Sequence, residues 1–378
     1  VGPYGTSDRR SGGTQPSPSG ARDTAGRAAI HPATVNIVLC LSHSIEEFDQ
    51  VRLLSELGYD VFSIGGYIDP AHPHDPKRPA LPDVPFHPEL KALIDALGTD
   101  DNLGAAQAHI PDGIIDWADA IIYHHYLDAR LFPQWQRVRH KRVIWRTVGQ
   151  SVEHNERLAA PFREDGLQIV RYSPKERNIP GFAGEDALIR FYKDPADYGG
   201  WTGETSVVIN VTQHLRQRDP YTNWGFWEAA TAGLPRLALG PGSEVIGGPG
   251  ELSYPDMLDW LRVARCYLYT GTQPASYTLG LIEAMMTGTP VVSIGPRFMD
   301  VFPYGPDLFE GWQIVHGWGE GKSLPRGDVL AWARGLLWNY LSDRGQARIA
   351  SKAMRQRAIE LFGRETVGAQ WRAFLGAP

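Results

Sequence analysis

The sequence predicts an α/β protein of two Rossmann-like domains that face each other across a cleft. Its 378 residues exceed what one compact core usually holds, so two domains are expected. From Val35 onward, short apolar runs alternate with helix-like stretches, and a second series begins near residue 205. Continuous apolar strands separated by helices are typical of parallel sheets covered on both faces. Two such series therefore predict two domains with a ligand site between them.

The first series predicts five strands. They span residues 35–41, 60–64, 119–123, 141–145 and 167–172. Residues 45–58 have apolar side chains near helical spacing and end in Gly58, where a C-terminal helix glycine belongs. Residues 70–88 contain seven prolines, so this segment predicts a long surface loop. Its histidines lack the spacing of metal ligands.

The second series also predicts five strands. They span residues 206–211, 234–240, 266–270, 290–295 and 312–317. Helices are predicted at 254–264 and 276–288, the second with Ser276 as N-cap and Gly288 as C-cap. Two more helices, over 329–341 and 346–363, follow toward the C-terminus.

These elements predict four regions along the chain. Residues 1–34 are rich in Gly, Ser, Thr, Pro and Arg and predict a disordered tail. Residues 35–180 are expected to form the first domain and residues 181–345 the second. The last segment, residues 346–378, contains the C-terminal helix.

Composition excludes some classes of protein. The 37 basic and 43 acidic residues give a net charge of −6, which excludes a uniformly basic nucleic-acid surface. No run reaches the roughly eighteen apolar residues that a membrane span needs. Cys40 and Cys266 each lie in an apolar run and predict buried, reduced thiols and a cytoplasmic location.

The most informative segment is YTGTQPASYTLGLIEAMMTGTPVVSIG, residues 269–295. A loop that leads into a helix N-terminus presents free backbone N–H groups, which predict a site for a diphosphate. The residues expected at this site are Ser276, Tyr277, Thr278 and Leu279. Glu283 follows on the same largely apolar helix, where its carboxylate needs a partner such as a ribose diol. The alternative is an exposed helix glutamate.

The stretch GLIEAMMTGTPVVSIG, with Glu283, Gly288 and Pro290, resembles the donor-site helix of GT-B glycosyltransferases of the retaining GT4 family. The resemblance implies transfer of a sugar from a nucleotide sugar, expected to be UDP-linked, and a last helix that crosses back to the first domain. The family usually has an acidic residue eight positions before this glutamate. Here that position is Ala275, so the identity of the donor sugar stays open.

The same resemblance implies further donor residues. Arg216 and Arg218 follow the strand at 206–211, where the family places a basic pair against the diphosphate. Gly240 and Gly242 would allow close approach of the backbone to the nucleoside base. The alternatives are a solvated loop for the arginines and an ordinary turn for the glycines.

On the acceptor side, His124 matches the strand-end histidine that enters the cleft in this family, where it would position the sugar. His125 is adjacent, and neighbouring strand side chains face opposite ways, so one of the two is expected to reach the cleft. The family's glycine-rich loop is replaced by LSHSIEEFD, which offers His43, Glu46 and Asp49. The alternative for His124 is a core or surface histidine.

The implied reaction needs no metal and no cofactor besides the nucleotide sugar. The helix N-terminus and the arginines would stabilise the charge on the departing diphosphate. Two other functions remain open from the sequence. A nucleotide-sugar epimerase shares the fold and donor site, and a non-catalytic nucleotide-sugar-binding protein is consistent with Ala275.

The acceptor is expected to be a saccharide or another hydroxyl compound, with one specific alternative. Residues 130–146 hold six basic residues, no acidic residue, and the aromatic residues Trp135 and Trp145. Such a stripe can follow a nucleic-acid backbone and stack on bases. Phage-type enzymes of this architecture glucosylate modified bases, so a hydroxymethylated base in DNA is the alternative acceptor. A solvated helix face that leads into a buried strand explains the same residues.

Overall fold

The computed structural model describes residues 34–41, 43–74, 77–125, 127–149, 152–299, 301–317 and 326–378. The tail predicted for residues 1–34 lies outside these ranges except for Thr34. None of the helices described is long and apolar enough to cross a membrane.

The first sheet has six parallel strands in the order β2-β1-β3-β4-β5-β6. Their bounds are β1 (Asn36–Cys40), β2 (Asp60–Ile64), β3 (Ala120–His124), β4 (Arg142–Arg146), β5 (Gln168–Arg171) and β6 (Ala187–Leu188). The five predicted strands are confirmed to within one residue at each end. Only the two-residue β6 was not predicted.

Helices cover both faces of this sheet. They are α1 (Ser44–Glu56), α2 (Pro88–Asp95), α3 (Asn102–Ala108), α4 (Asp112–Trp117), α5 (Trp135–Val138) and α6 (Glu153–Glu164). Alternate residues of β1 face opposite layers: Leu39 packs in the core with Leu54 of α1, and Val38 packs in the core with Ile114 of α4. The predicted α1 is confirmed, and Gly58 after it has a φ of +97°.

The second sheet has four parallel strands in the order β10-β9-β7-β8. Their bounds are β7 (Thr205–Val211), β8 (Arg236–Leu239), β9 (Ala264–Tyr269) and β10 (Val291–Ser293). Four of the five predicted strands are confirmed. Cys266 of β9, like Cys40 of β1, is buried and unpaired, as predicted.

The second sheet is accompanied by the remaining helices. They are α7 (Trp224–Thr231), α8 (Tyr254–Val263), α9 (Leu279–Thr287), α10 (Gly305–Leu308), α11 (Gly311–His316), α12 (Arg326–Ser342), α13 (Arg344–Phe362) and α14 (Arg364–Leu375).

Two predictions in this half were wrong. The strand expected at 312–317 is α11, because the N–H groups of Glu310 and Gly311 donate to the Ser276 carbonyl at 3.0 and 3.2 Å and start a helical turn there. The apolar run that suggested a strand includes Trp312, which is buried in the helix. The helix expected from 276 begins at Leu279 with Thr278 as N-cap. The carbonyl of an N-cap residue accepts the first intrahelical bond, but the Ser276 carbonyl accepts the amides that begin α11 instead.

The C-terminal helices contact both halves of the chain. α13 packs on α9, where Met354 joins the core of the second sheet. α14 packs on α1 and β6, and its Trp371 is buried in the core of the first sheet. Arg142 of β4 donates to the carbonyl of Phe374 in α14 at 2.6 Å. The predicted crossing of the C-terminal helix back to the first domain is therefore confirmed.

Candidate functional site

The segments that follow the carboxyl ends of the two sheets meet each other. Tyr172 follows β5, and its hydroxyl oxygen accepts the N–H of Ser276, in the segment after β9, at 2.7 Å. Gly149 follows β4, and a methyl group there would lie 3.2 Å from Cβ of Ala275. The carboxyl edge of parallel strands is where ligands bind in open α/β sheets. The segment between β9 and α9 thus lies against the first half of the chain at this edge.

The N-terminus of α9 has no side-chain cap. Thr278 is the N-cap residue and forms no side-chain capping bond with the first turn. Thr278, Leu279 and Gly280 are partly exposed. Since the first N–H groups of a helix lack intrahelical acceptors and lie at the positive end of its dipole, this terminus favours an anion.

Ser276 and Tyr277, which were predicted beside the diphosphate, are buried. The carbonyl of Ser276 accepts the two amides that begin α11. The Tyr277 hydroxyl donates to the carbonyl of Tyr172 at 2.7 Å. These contacts fix the position of the loop that precedes α9.

Glu283 lies one turn into α9 and is 3% exposed. Its Oε1 accepts from Nζ of Lys193 at 2.8 Å, from Nη2 of Arg78, and from the Tyr198 hydroxyl at 3.4 Å. Lys193 Nζ also lies 2.7 Å from Oδ2 of Asp49, a residue of α1. The predicted donor residue Glu283 and the predicted acceptor-side residue Asp49 are thus joined through one lysine.

The two carboxylates of this cluster differ in proton affinity. Burial alone would raise the pKa of Glu283, but Lys193 and Arg78 lower it to about 2. Burial raises the pKa of Asp49 to about 7, although Lys193 opposes this effect. Glu283 is therefore ionised at neutral pH, whereas Asp49 titrates near neutrality.

Arg216 and Arg218 are both exposed. The guanidinium carbon of Arg216 lies 5.9 Å from the ring centroid of Trp224. Arg216 and Trp224 line a pocket of about 280 Å³ together with Arg236 of β8. The structure thus places Arg216 beside α7 and β8.

Gly240 and Gly242 follow β8 and have φ values of +104° and +79°. The segment after β7 packs on them: the N–H of His214 donates to the Pro241 carbonyl at 2.7 Å. A methyl group at Gly242 would lie 2.4 Å from Nδ1 of His214. Both the backbone conformation and this close approach therefore require glycine at position 242.

Three histidines gather at the carboxyl ends of β1 and β3. His124 is buried, and its Nε2 lies 3.1 Å from Oε2 of Glu46. His43 is exposed, and its Nδ1 accepts the N–H of Glu46 at 3.5 Å as the N-cap of α1. His125 is half-buried with a φ of +59°. Of the three, His43 and His125 are more accessible than His124.

The charges in this group are set by their surroundings. Burial alone would raise the pKa of Glu46, but His124, Arg146 and His43 lower it to about 2. Burial, followed by the charges of His124 and His43, lowers the pKa of His125 to about 4. His125 is therefore a neutral imidazole at pH 7, able to accept or donate a hydrogen bond.

The basic stripe of residues 130–146 is bonded to the protein itself. Arg137 pairs with Asp112 at 2.5 Å and Arg139 pairs with Asp165 at 3.1 Å. The remaining contacts are Lys141 to the Asp116 carbonyl, Arg142 to the Phe374 carbonyl and Arg146, which is buried, to the Ile189 carbonyl. These contacts give no support to a DNA acceptor.

No group of three or more His, Cys, Asp and Glu side chains is placed to hold a metal ion within the part of the chain that the structure describes.

Solved glycosyltransferase structures share this architecture. The structure of HepE from Anabaena in complex with UDP and glucose has a TM-score of 0.60 at 14% identity, and the match covers 91% of this chain and 100% of HepE. A glycosyltransferase from Rickettsia africae has a TM-score of 0.58 at 12% identity, covering 92% and 100%. AviGT4, a glycosyltransferase involved in avilamycin A biosynthesis, has a TM-score of 0.52 at 16% identity, covering 91% and 99%. This chain has the GT-B fold. No protein-family model and no curated protein sequence matches it.

Three residues of this candidate site were not predicted from the sequence. Arg78 lies in a proline-rich run without periodicity and contacts a carboxylate 205 positions away. Along the chain, Lys193 lies between β6 and β7, in a segment that contains no recognisable motif. Tyr172 was placed at the end of a predicted strand, and the rule that ligand sites lie at carboxyl strand ends was the available signal for it.

Proposed function

We propose that this chain is a glycosyltransferase that moves a sugar from a nucleoside-diphosphate sugar to an acceptor hydroxyl. The observation that carries the proposal is the uncapped N-terminus of α9, with the ionised carboxylate of Glu283 one turn further along the same helix. Together they offer, on one helix, an anion site and a carboxylate that can accept hydrogen bonds from hydroxyl groups. The GT-B fold and the GT4-like segment around Glu283 agree with this proposal. HepE, which was solved with UDP and glucose, makes UDP the first nucleotide to test.

In the proposed reaction the bond between the anomeric carbon and the diphosphate oxygen breaks, and its electron pair leaves with the diphosphate. The acceptor oxygen forms the new bond to the anomeric carbon and loses its proton. The amides at the start of α9, assisted by Arg216 and Arg218 from the segment after β7, would stabilise the charge on the departing diphosphate. We therefore propose a metal-independent reaction, which by the GT4 resemblance proceeds with retention.

The other predicted residues have proposed roles on both sides of the cleft. Glu283 would accept hydrogen bonds from the ribose diol, and Gly240 and Gly242 would approach the base. On the acceptor side, His43 and His125 are better exposed than His124 to contact a sugar. His124 would act through Glu46, with which it is paired. We propose a saccharide hydroxyl as acceptor and, from the two buried unpaired cysteines, a cytoplasmic location.

Isothermal titration of the protein with UDP, GDP and ADP tests the nucleotide site directly. Glu283→Ala should weaken binding of the preferred nucleotide by about 1–3 kcal/mol, since charge-assisted hydrogen bonds are removed. Glu360→Ala, an exposed glutamate of α13, is the matched control and should bind as the wild type does. An unchanged dissociation constant in folded Glu283→Ala would remove the ribose assignment.

Incubation with the matching nucleotide sugar then separates the three functions. A transferase should hydrolyse the donor slowly and transfer the sugar faster once an acceptor is added. Release of an altered sugar without any acceptor would indicate an epimerase. Tight nucleotide binding without turnover would indicate a binding protein.

A further inference from the structure

We propose that Arg78 competes with the donor nucleotide for Glu283, so that the nucleotide must displace the Arg78 guanidinium before its ribose can bind. The inference rests on the proposed function, because it takes Glu283 as the ribose ligand. It adds a regulatory contact: a residue from the first half of the chain controls access to the nucleotide site in the second half.

The buried carboxylate of Glu47 holds residues 63–67, which in turn contact the backbone of Arg78. Glu47 of α1 accepts hydrogen bonds from the Ser63 hydroxyl at 2.6 Å, from the Tyr67 amide at 2.8 Å and from the Gly66 amide at 3.0 Å. The Tyr67 hydroxyl in turn lies 3.0 Å from the carbonyl oxygen of Arg78. This chain of contacts places the Arg78 backbone beside the site, and the Arg78 side chain reaches Glu283 from there.

The guanidinium of Arg78 lies between an aromatic face and the carboxylate. Its carbon is 4.0 Å from the ring centroid of Tyr254, and Nη2 donates to Glu283. The side chains of Arg78 and Glu283 are 5% and 4% exposed. Nε of Arg78 has no hydrogen-bond acceptor among the described residues. The pair is thus almost fully removed from water, with one guanidinium donor left unsatisfied.

A ribose diol can reach Glu283 only where other side chains now cover it. Oε1 of Glu283 already accepts from Arg78, Lys193 and Tyr198, which is as many donors as one carboxylate oxygen readily accommodates. The Glu283 side chain is 4% exposed, so a ribose hydroxyl can reach either of its oxygens only if a group that covers the carboxylate moves. If a ribose hydroxyl takes the place of Arg78, Lys193 still balances the charge of Glu283.

Of the two cations that bind Glu283, Arg78 is the one that can leave. Lys193 is 0% exposed and is also held by Asp49 at 2.7 Å, so its removal would leave a second buried carboxylate without a cation. Arg78 instead lies on a segment without helix or strand, residues 77–86, which is part of the first half of the chain. A guanidinium that moves from this position into water regains its hydration, which lowers the cost of displacement.

The competition has a measurable consequence. Apparent nucleotide affinity is reduced by the fraction of molecules in which Glu283 is accessible. By reciprocity, a bound nucleotide must weaken the contact between Arg78 and Glu283 to the same extent. Removal of Arg78 should therefore tighten nucleotide binding. If Arg78 instead bound the diphosphate of the nucleotide, its removal would weaken nucleotide binding.

Titration of wild type, Arg78→Ala, Glu283→Ala and the double variant with UDP tests the proposal. Arg78→Ala should bind UDP about tenfold more tightly if about a tenth of wild-type molecules have an accessible Glu283. The double variant should bind like Glu283→Ala, because Arg78 acts only through that carboxylate. Lys77→Ala is the matched control: it removes the adjacent charge, whose exposed pair with Glu251 lies 3.2 Å apart, and should leave the dissociation constant unchanged.

Hydrogen exchange in the wild-type protein provides a test that requires no variant to fold. Saturating UDP should speed exchange in residues 77–86, where the Leu81 amide donates to the Pro70 carbonyl at 2.7 Å, and slow exchange at the start of α9.

The UDP titrations and the hydrogen-exchange measurement either support or overturn the competition between Arg78 and the nucleotide. Weaker or unchanged UDP binding in Arg78→Ala, or slower or unchanged exchange in 77–86, overturns the competition while leaving the proposed function in place. If UDP, GDP and ADP bind neither to the wild type nor to Arg78→Ala, the nucleotide site itself is wrong and the competition falls with it. Binding to Arg78→Ala alone supports both.

Discussion

The ammonium nitrogen of Lys193 lies 2.8 Å from Oε1 of Glu283, within α9 of the second half of the chain. The same nitrogen lies 2.7 Å from Asp49 in α1 of the first half. Burial lowers the pKa of Lys193, but Asp49 and Glu283 raise it above the ordinary value, so this lysine is charged. One fully buried cation therefore connects α9 to α1.

Lys193→Met should lower the free energy of unfolding by about 3–5 kcal/mol, because two buried carboxylates would then share the single cation Arg78. The destabilisation should be smaller at pH 6 than at pH 8, because loss of Lys193 raises the pKa of Asp49 further and lets it bind a proton at pH values where the wild type is ionised. Urea unfolding at pH 6 and pH 8 measures both effects. Lys91→Met, which removes an exposed pair with Asp95, should unfold as the wild type does. A Lys193→Met protein as stable as the Lys91→Met control would contradict the prediction.

Tyr172→Phe should destabilise the protein by about 1–3 kcal/mol, because the buried amide of Ser276 would lose its acceptor. Tyr123→Phe is a matched control, since the Tyr123 hydroxyl is buried without a hydrogen-bond partner in the described part of the chain. That variant should be neutral or slightly stabilising. Urea unfolding of both proteins gives the comparison, and equal effects would show that the Tyr172 hydrogen bond contributes nothing.

The pair of Glu46 and His124 should make the protein sensitive to acid. The folded-state pKa of Glu46 is about 2, below its ordinary value of 4.5. A lowered pKa contributes stability that is complete above about pH 4.5 and is lost as pH falls toward 2. Glu46→Gln should therefore flatten the decline in unfolding free energy between pH 4.5 and pH 2.5 by up to about 1.4 kcal/mol per pH unit. Exposed Glu89→Gln should keep the wild-type slope, and an equally steep Glu46→Gln profile would refute the assignment.

The strands were predictable because each is a short apolar run that is buried in its sheet. β1 and β9 are buried almost throughout, so nearly every residue of each run is apolar. The segment of α11 has a similar run, and its helical form depends on the Ser276 carbonyl, which lies 35 positions away from Gly311. A pattern of neighbouring side chains contains no information about that contact.

For each contact that Glu283 or Lys193 makes in the candidate site, one of the two residues was predicted from the sequence and its partner was not. The helix of Glu283 follows from its own sequence, because the loop, the helix N-terminus and the carboxylate lie within a few turns of each other. The partners Arg78, Lys193 and Asp49 come from three distant segments, and only folding brings them together. The sequence also placed Arg216 and Arg218 after β7, and both are exposed. Sequence order fixes their position near β7, but tertiary packing decides the direction of their side chains.

Sugar transfer should continue after removal of divalent cations, because the amides at the start of α9 would stabilise the departing diphosphate. The measurement is donor hydrolysis and transfer by protein dialysed against EDTA, with and without added magnesium or manganese. Untreated protein in the same buffer is the control. Failure of turnover that either metal restores would show that the reaction needs a cation.

We expect the basic stripe of residues 130–146 not to bind a polyanionic acceptor. Arg137, Arg139 and Lys141 are each bonded to an aspartate or its carbonyl in the first half of the chain. A phosphate would have to compete with these contacts, and the net charge of −6 adds no long-range attraction. The triple variant Arg137→Gln, Arg139→Gln, Lys141→Gln should therefore leave the weak affinity for duplex DNA and its salt dependence unchanged. UDP affinity should also stay at the wild-type value.

Fluorescence anisotropy of a labelled duplex across a series of salt concentrations measures this slope. Removing one ion pair with a DNA phosphate would flatten the log–log slope by about 0.9. A slope flattened by about two or three times that amount, with UDP binding intact, would assign the stripe to a polyanionic acceptor despite its internal ion pairs. An unchanged slope leaves these residues the structural role that their contacts indicate, because charges that are already paired release few counterions when a phosphate approaches. Neutral saccharides are then the acceptors to test first.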